Sequence, residues 1–426
     1  MRILIHGINY APDEIGIPKY TSEMARWLAA RGHDIRVVTA PPYYPEWKIR
    51  AGYTASEYVR DAEDRIRILR CPIYVPANPS GPNRLLHLAS FALTSAIPLA
   101  WIAARWRPHL VIGIAPALAA APATWGAARL GGAVAWLHVQ DFELDAAFEL
   151  GLLSHGSLRR TAKWIERRIL KRFDHVSTIS AKMAELLEKK GVAPQNIHEL
   201  RNWVDVTSIH PLTTPSPYRA QWNASENDII CLYSGNIANK QGMEVIIDAA
   251  RLLAHRTDIR FVICGNGSGR DTFAQAARTH PNISLLPLQP LGKLNDLLGA
   301  ADIHMLPQKA GATDLVLPSK LTGMLASGRP VVATAAPGSG LATEIEDCGV
   351  ATAPGDAQAF AIALEKLADD GLQREMLGRK AHAAAMFRLD MNAILLAAEG
   401  AFLDSVPSRR VKADKLKAGQ PAINNR

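Results

Sequence analysis

The chain has 426 residues, 48% apolar and 21% charged, with a formal net charge of +8. That length exceeds one ordinary hydrophobic core and predicts two α/β domains, and the apolar content excludes a chain that is mostly disordered. Four widely spaced cysteines (Cys71, Cys231, Cys264, Cys348), with no C-x-x-C spacing and no histidine cluster nearby, exclude a zinc module and predict a reducing cytoplasm.

Apolar runs at Arg2 to Ile8, Asp34 to Ala40, Leu110 to Ala115, Val134 to Val139 and His175 to Ser180 read as buried parallel strands. Helical stretches such as Lys19 to Ala30 and Ser157 to Arg172 alternate with them, predicting a doubly wound domain over 1–208. The first strand starts almost at Met1, without the apolar core and cleavage site of an export signal. The Pro- and Thr-rich stretch Pro211 to Pro217 reads as a linker. A second series follows at Ile229 to Gly235, Arg260 to Gly265, Ile283 to Leu288, Ile303 to Pro307 and Pro330 to Thr334. Helical stretches from Met243 to His255, Leu291 to Ala301 and Ala357 to Ala368 separate these runs and predict a second doubly wound domain over 218–385. A helix over 386–405 is expected to pack back on the N-terminal domain, and the basic tail 406–426 reads as disordered. Two domains of this kind predict a binding cleft between them.

Several junctions suit anionic or sugar ligands. Gly16 lies between the first strand and a helix opened by Pro18, where backbone N–H groups and the helix dipole favour a phosphate. Gly235-Asn236-Ile237-Ala238-Asn239-Lys240-Gln241-Gly242 joins a strand to a helix and places Lys240 at the carboxyl end of the sheet. Gly265-Asn266-Gly267 follows the next strand but falls short of G-x-G-x-x-G, because Arg270 takes the third-glycine place. Leu317-Pro318-Ser319-Lys320-Leu321 opens another helix and offers backbone donors, a hydroxyl and a cation. In the N-terminal half His138 and Asp141 end the strand Val134 to Val139, with Glu143 and Asp145 as competing acids. Each feature also has a plain structural reading: an ordinary turn, a capped helix, a satisfied histidine.

Together these motifs resemble the family 4 retaining glycosyltransferases. The resemblance runs through Gly16, Arg31-Gly32-His33-Asp34-Ile35-Arg36-Val37, His138, the Gly235 to Gly242 loop, Gly265-Asn266-Gly267 and Ala326-Ser327-Gly328-Arg329-Pro330-Val331, up to about Leu403. It implies the α/β GT-B fold, in which two Rossmann-like doubly wound domains face each other across a cleft. It also implies metal-independent transfer from a nucleotide sugar, which is a substrate, so no cofactor is expected. Tyr233-Ser234-Gly235-Asn236, Lys240-Gln241-Gly242 and Leu317 to Leu321 are similar to the colanic-acid-type branch of exopolysaccharide assembly. That likeness implies a GDP- or UDP-linked donor, GDP-fucose among them, and a lipid-linked (polyprenyl diphosphate) glycan acceptor. The donor residues implied are Gly16, Asn236, Lys240, Gly265, Gly267, Leu291, Ser319, Lys320 and Leu321, and the catalytic ones His138, Asp141, Lys240 and Asp314. The chain departs from the family where Asn236 replaces an arginine and where two glutamates are missing. Asp314 is the acid nearest the first, and Gly323 occupies the place of the second. More of the diphosphate charge then falls to Lys240 and Lys320.

His87 to Trp106 is almost long and apolar enough for a membrane span, but Pro98 and the doubly wound context favour a buried or interfacial helix. Ser157 to Arg172 is a basic helix suited to an anionic membrane surface or to solvent. These features predict a cytoplasmic protein bound peripherally to the inner face of the cytoplasmic membrane. Nucleic acid is not an expected partner, because no nucleic-acid module accompanies the charge. Two other functions share these features: a nucleotide-sugar epimerase, and an inactive sugar-nucleotide-binding scaffold at the membrane.

Overall fold

The structure is a computed structural model that describes residues 1–13, 15–77, 81–142, 156–237, 241–267, 269–309 and 317–407, with no side-chain detail at 156–158. Lys240, Asp314, Glu143, Asp145 and the basic tail from 408 onward lie outside the described residues. The chain divides into two compact units, Met1–Arg201 with Leu395–Arg426, and Asn202–Ile394.

The first unit is built on one sheet of β1 (Arg2–Gly7), β2 (Asp34–Thr39), β3 (Val59–Glu63), β4 (Ile66–Arg70), β5 (Leu110–Ala115), β6 (Val134–Val139), β7 (His175–Thr178) and β8 (Ile197–Glu199). Their spatial order is β3-β4-β2-β1-β5-β6-β7-β8. All neighbours are parallel except β3 and β4, which form an antiparallel edge hairpin. Side chains on both faces of β1 are buried, with Ile3, Leu4 and Ile5 fully inaccessible, as expected of a central parallel strand covered by helices. The chain leaves β1 toward β2 on one side and returns to β5 on the other, so a crevice opens at the carboxyl ends of β1 and β5.

The helices Gly81–Trp106, Ala121–Gly131 and Gly156–Leu170 carry the chain from β4 to β5, β6 and β7 in turn. Each connection steps the same way across the sheet, and right-handed crossovers of that kind put all three helices on one face. The helix Gly81–Trp106 is long and apolar enough to cross a membrane by length and composition. In this fold it buries one stripe, including Phe91, Ser95, Leu99 and Ala103, and His87 bonds both Tyr74 O (2.6 Å) and the Tyr43 hydroxyl (2.9 Å). From the last helix, Met391–Ser405, Glu399 returns to bond Arg31 Nε and His33 Nε2, each at 2.7 Å, and Phe402 stands edge-on to Trp136.

The second unit holds a wholly parallel sheet of β9 (Ile229–Ser234), β10 (Ile259–Cys264), β11 (Ile283–Leu286), β12 (Ile303–Leu306), β13 (Val331–Thr334) and β14 (Gly349–Thr352), ordered β11-β10-β9-β12-β13-β14. Alternate residues of β9 enter opposite cores, Ile230 and Leu232 on one face and Cys231 and Tyr233 on the other. The strand order reverses between β9 and β12, which makes their carboxyl ends the expected binding crevice. The stretch Pro211 to Pro217 is packed into this unit and is not a free connection. His210 N bonds Asn295 Oδ1 (3.0 Å), and Ser216 Oγ donates to Asp296 O (2.6 Å). The division between units falls ahead of it, at Arg201 and Asn202.

Candidate active site

At the switch point of the second unit, the loops after β9 and β10 lie against each other. Gly235 N bonds Cys264 O (2.9 Å), and Ile237 N bonds Asn266 O (2.8 Å). This approach needs bare backbone. A Cβ on Gly265 would stand 1.9 Å from Gly235 O, and one on Gly267, where φ is +140°, would stand 2.4 Å from Asn236 Oδ1 and Ile237 O. Arg270, in the third-glycine place, spends its guanidinium on the carbonyls of Gly265 and Leu286 and so pins the ends of β10 and β11. The two expected donor glycines are thus packing glycines first. They bring the Asn236 loop to the carboxyl edge of the sheet.

Lys320 opens the short helix Lys320–Ala326 beyond β12 and reaches back to β9. Its ammonium lies 2.5 Å from the Tyr233 hydroxyl, 4.2 Å from the centroid of the Tyr233 ring and against the backbone of Gly235. Tyr233 in turn lies 2.6 Å from Asn236 O and 2.5 Å from Gln241 Oε1, with one proton to share between them. Among the described residues no carboxylate lies within ion-pair distance of Lys320. Burial pulls the ammonium down to about 7, so a bound anion would find a cation with no acidic partner among the described residues. Ser319 precedes Lys320 at the N-cap position without a side-chain capping bond. Leu291 is 53% exposed at the start of a 3-10 turn. The Leu321 side chain is buried and its N–H bonds Pro318 O at 3.0 Å, so it anchors the helix.

In the first unit His138 also departs from expectation. Its ring is buried, with Nδ1 2.9 Å from Ser177 Oγ and Nε2 2.9 Å from the Gln140 amide nitrogen, and burial lowers its pKa to about 4. It is therefore a neutral histidine engaged at both nitrogens by residues of its own domain. Asp141 is only partly buried, and its charge reaches Tyr44, whose phenol is raised first by burial and then by Asp141. Gly16 adopts φ +74° at the head of the helix Ile17–Ala30, and the space where a Cβ would stand is open.

Sequence reasoning missed Asp13 in the same loop. Burial pushes its carboxyl up to about 6 against the N–H groups of Tyr44 and Tyr43, which both bond Oδ2, at 3.3 and 3.4 Å. The available signal was an acid between Pro12 and Gly16, just beyond a central strand. Sequence reasoning placed Tyr233 in the motif Tyr233-Ser234-Gly235-Asn236 but gave it no part in the site.

Comparison with known proteins agrees with the α/β architecture of the two units. Residues 16–203 match the family described as "Glycosyl transferase 4-like domain" and residues 228–370 the family described as "Glycosyl transferases group 1". The chain is 44% identical over 342 residues, 79% of its length and 83% of the relative's, to an Escherichia coli (strain K12) protein provisionally described as the colanic acid biosynthesis glycosyl transferase WcaI. It is 28% identical to the D-inositol 3-phosphate glycosyltransferase of Corynebacterium aurimucosum, over 59% of this chain and 64% of that one. Among solved structures, sucrose-phosphate synthase from Thermosynechococcus elongatus superposes with a TM-score of 0.74 at 16% identity, covering 97% of this chain and all of that one. Anabaena HepE in complex with UDP-glucose superposes with a TM-score of 0.68 at 16% identity, covering 95% and 100%. The chain belongs to the glycosyltransferases of GT-B fold, with a 4-like domain followed by a group 1 domain.

Proposed function

We propose that the chain moves a sugar, with retention, from a GDP- or UDP-linked donor onto a polyprenyl-diphosphate-linked glycan, in assembly of an exopolysaccharide of the colanic-acid type. The 44% identity to WcaI supports the pathway, and the UDP-glucose complex of HepE supports the class of donor. The observation that carries the reading is Lys320, a partly buried ammonium at the β9 to β12 switch point with Tyr233 as its neighbour and no acidic partner among the described residues. A diphosphate supplies the negative charge that this cation lacks.

In the reaction, a bond forms between the acceptor oxygen and the anomeric carbon as the bond from that carbon to the diphosphate oxygen breaks. The acceptor's proton passes to the departing phosphate. Negative charge grows on the diphosphate, where Lys320, Lys240 and backbone donors of the Ser319 loop meet it without a metal. Asp141, on the first unit, orients the acceptor, and Asp314 serves the donor side. His138 supports Asp141 by holding Gln140 and Ser177 in place. The acceptor's lipid places the work at the cytoplasmic face of the cytoplasmic membrane.

The test is calorimetric titration of the full chain with GDP-, UDP- and ADP-sugars in the absence of metal, repeated with Lys320→Ala. One nucleotide class is expected to bind, with binding weakened in the variant, and that donor then enters a transfer assay with lipid-linked acceptor. Absence of binding by every nucleotide sugar would sink the transferase reading.

A further inference from the structure

Between the helices Ala121–Gly131 and Gly156–Leu170 of the first unit lies an open groove of about 370 Å³. Trp125, Trp164, Ile165 and Ile169 line it, and Arg168 and Arg172 stand at it. Each arginine lies over an indole, Arg168 over Trp164 at 5.1 Å and Arg172 over Trp125 at 4.9 Å. Neither has a carboxylate within ion-pair distance among the described residues. Trp164 is 59% exposed and Ile165 45%, an unusual outlay of apolar surface on a helix otherwise covered with cations. From Arg159 to Arg172 the one acid is Glu166, which turns inward to a buried ion pair with Lys190 at 2.5 Å, so the outer face carries only positive charge.

The neighbouring helix Gly81–Trp106 lies on the same face of the sheet and leaves Leu93, Ile97 and Trp101 exposed at 74%, 78% and 57%. Apolar side chains flanked by arginines whose guanidinium planes rest on tryptophans match an amphiphile with a hydrocarbon body and an anionic head. A bilayer would cover Leu93, Ile97 and Trp101 together with the groove.

We propose that this side of the first unit docks on an anionic phospholipid bilayer, with one acyl chain entering the Trp125–Trp164 groove and its phosphate held by Arg168 and Arg172. The proposal rests on the membrane-borne acceptor of the preceding section for its purpose, but its evidence and its test are separate.

The experiment is co-sedimentation of the full chain with phosphatidylcholine vesicles, with and without phosphatidylglycerol, together with tryptophan quenching by lipids brominated on the acyl chains. The wild type is expected to sediment with the anionic vesicles and to be quenched. Trp164→Glu, and the pair Arg168→Glu with Arg172→Glu, should bind about tenfold more weakly or worse. Trp125→Phe with Trp164→Phe should still bind and lose much of the quenching. Unchanged nucleotide-sugar titration in the glutamate variants shows that they fold and separates this outcome from failure of the transferase reading. Three results overturn the proposal: no vesicle binding by the wild type, binding indifferent to these variants, or a concentration-dependent dimer that Trp164→Glu abolishes, which would make the groove a contact between copies.

Discussion

Lys320 and Tyr233, 87 positions apart, meet with the ammonium 2.5 Å from the phenolic oxygen and 4.2 Å from the ring centroid. Removing the ammonium deletes a charge-assisted contact worth about 1.5–3 kcal/mol, so Lys320→Ala should weaken donor binding by roughly 10- to 100-fold. Lys320→Arg should not restore it. The planar guanidinium is a poor replacement where the backbone of Gly235 already closes on the lysine tip, 3.2 Å from where a Cβ would stand. Calorimetry with the preferred nucleotide sugar checks both variants.

Donor affinity should depend on pH through the same group. Burial holds Lys320 at about 7, so it is charged below that value in the free protein and increasingly neutral above it. A bound diphosphate favours the charged form and raises the pKa in the complex. Affinity is then flat on the acid side of Lys320's free pKa and falls above it by up to about tenfold per pH unit, with a proton taken up on binding. Titrations in buffers of different ionisation heat read that proton directly. A slope that persists in Lys320→Ala would assign it to another group.

Gly265→Ala should destabilise the second unit by about 2 kcal/mol or more, because its Cβ would lie 1.9 Å from Gly235 O and the loops after β9 and β10 would have to separate. Gly292→Ala, at a position with open space around it, should stay within about 0.5 kcal/mol of wild type. Thermal unfolding of the two variants makes the comparison. Donor binding should fail only in Gly265→Ala.

Acid stability should reflect buried neutral histidines. Burial lowers His138 to about 4, and His6 and His304 to about 3, from an ordinary 6.5. Above 6.5 these groups are neutral in folded and unfolded chains alike, and their contribution is fully present. As pH falls from 6.5 toward 4 the unfolded chain takes up protons that the folded one refuses, and stability is lost. For His138 alone the loss is on the order of 3 kcal/mol at full extent. The melting temperature should therefore drop steeply across that window. His138→Gln should flatten part of the drop while lowering stability at neutral pH, because Ser177 and Gln140 lose their partner.

Much of the fold is legible along the chain because it is locally encoded. Central parallel strands such as β1 and β9 are apolar on both faces and announce themselves as runs, and glycines mark the loops that follow them. The hairpin β3–β4 escapes such reading. Val59–Glu63 lies at the sheet edge with only partly buried or exposed residues, so its composition is that of a surface segment. Pro211 to Pro217 has the composition of a linker and yet is packed, because Gly299 leaves room for Leu212 and Asn295 supplies a partner to His210. Neither fact is local.

The sequence by itself determined the two doubly wound domains, the glycine loops at the carboxyl edges of their sheets and the family to which they belong, since periodicity and turn chemistry act over a few residues. Tertiary structure alone decided which charged and polar groups are bonded within the protein and which have no charged partner among the described residues. Both ring nitrogens of His138 are engaged by Ser177 and Gln140. Lys320, one lysine among many, is pressed against Tyr233 without a carboxylate among the described residues. The physical reason is that burial and partnership set the state of an ionisable group, and both are fixed by elements distant in the chain.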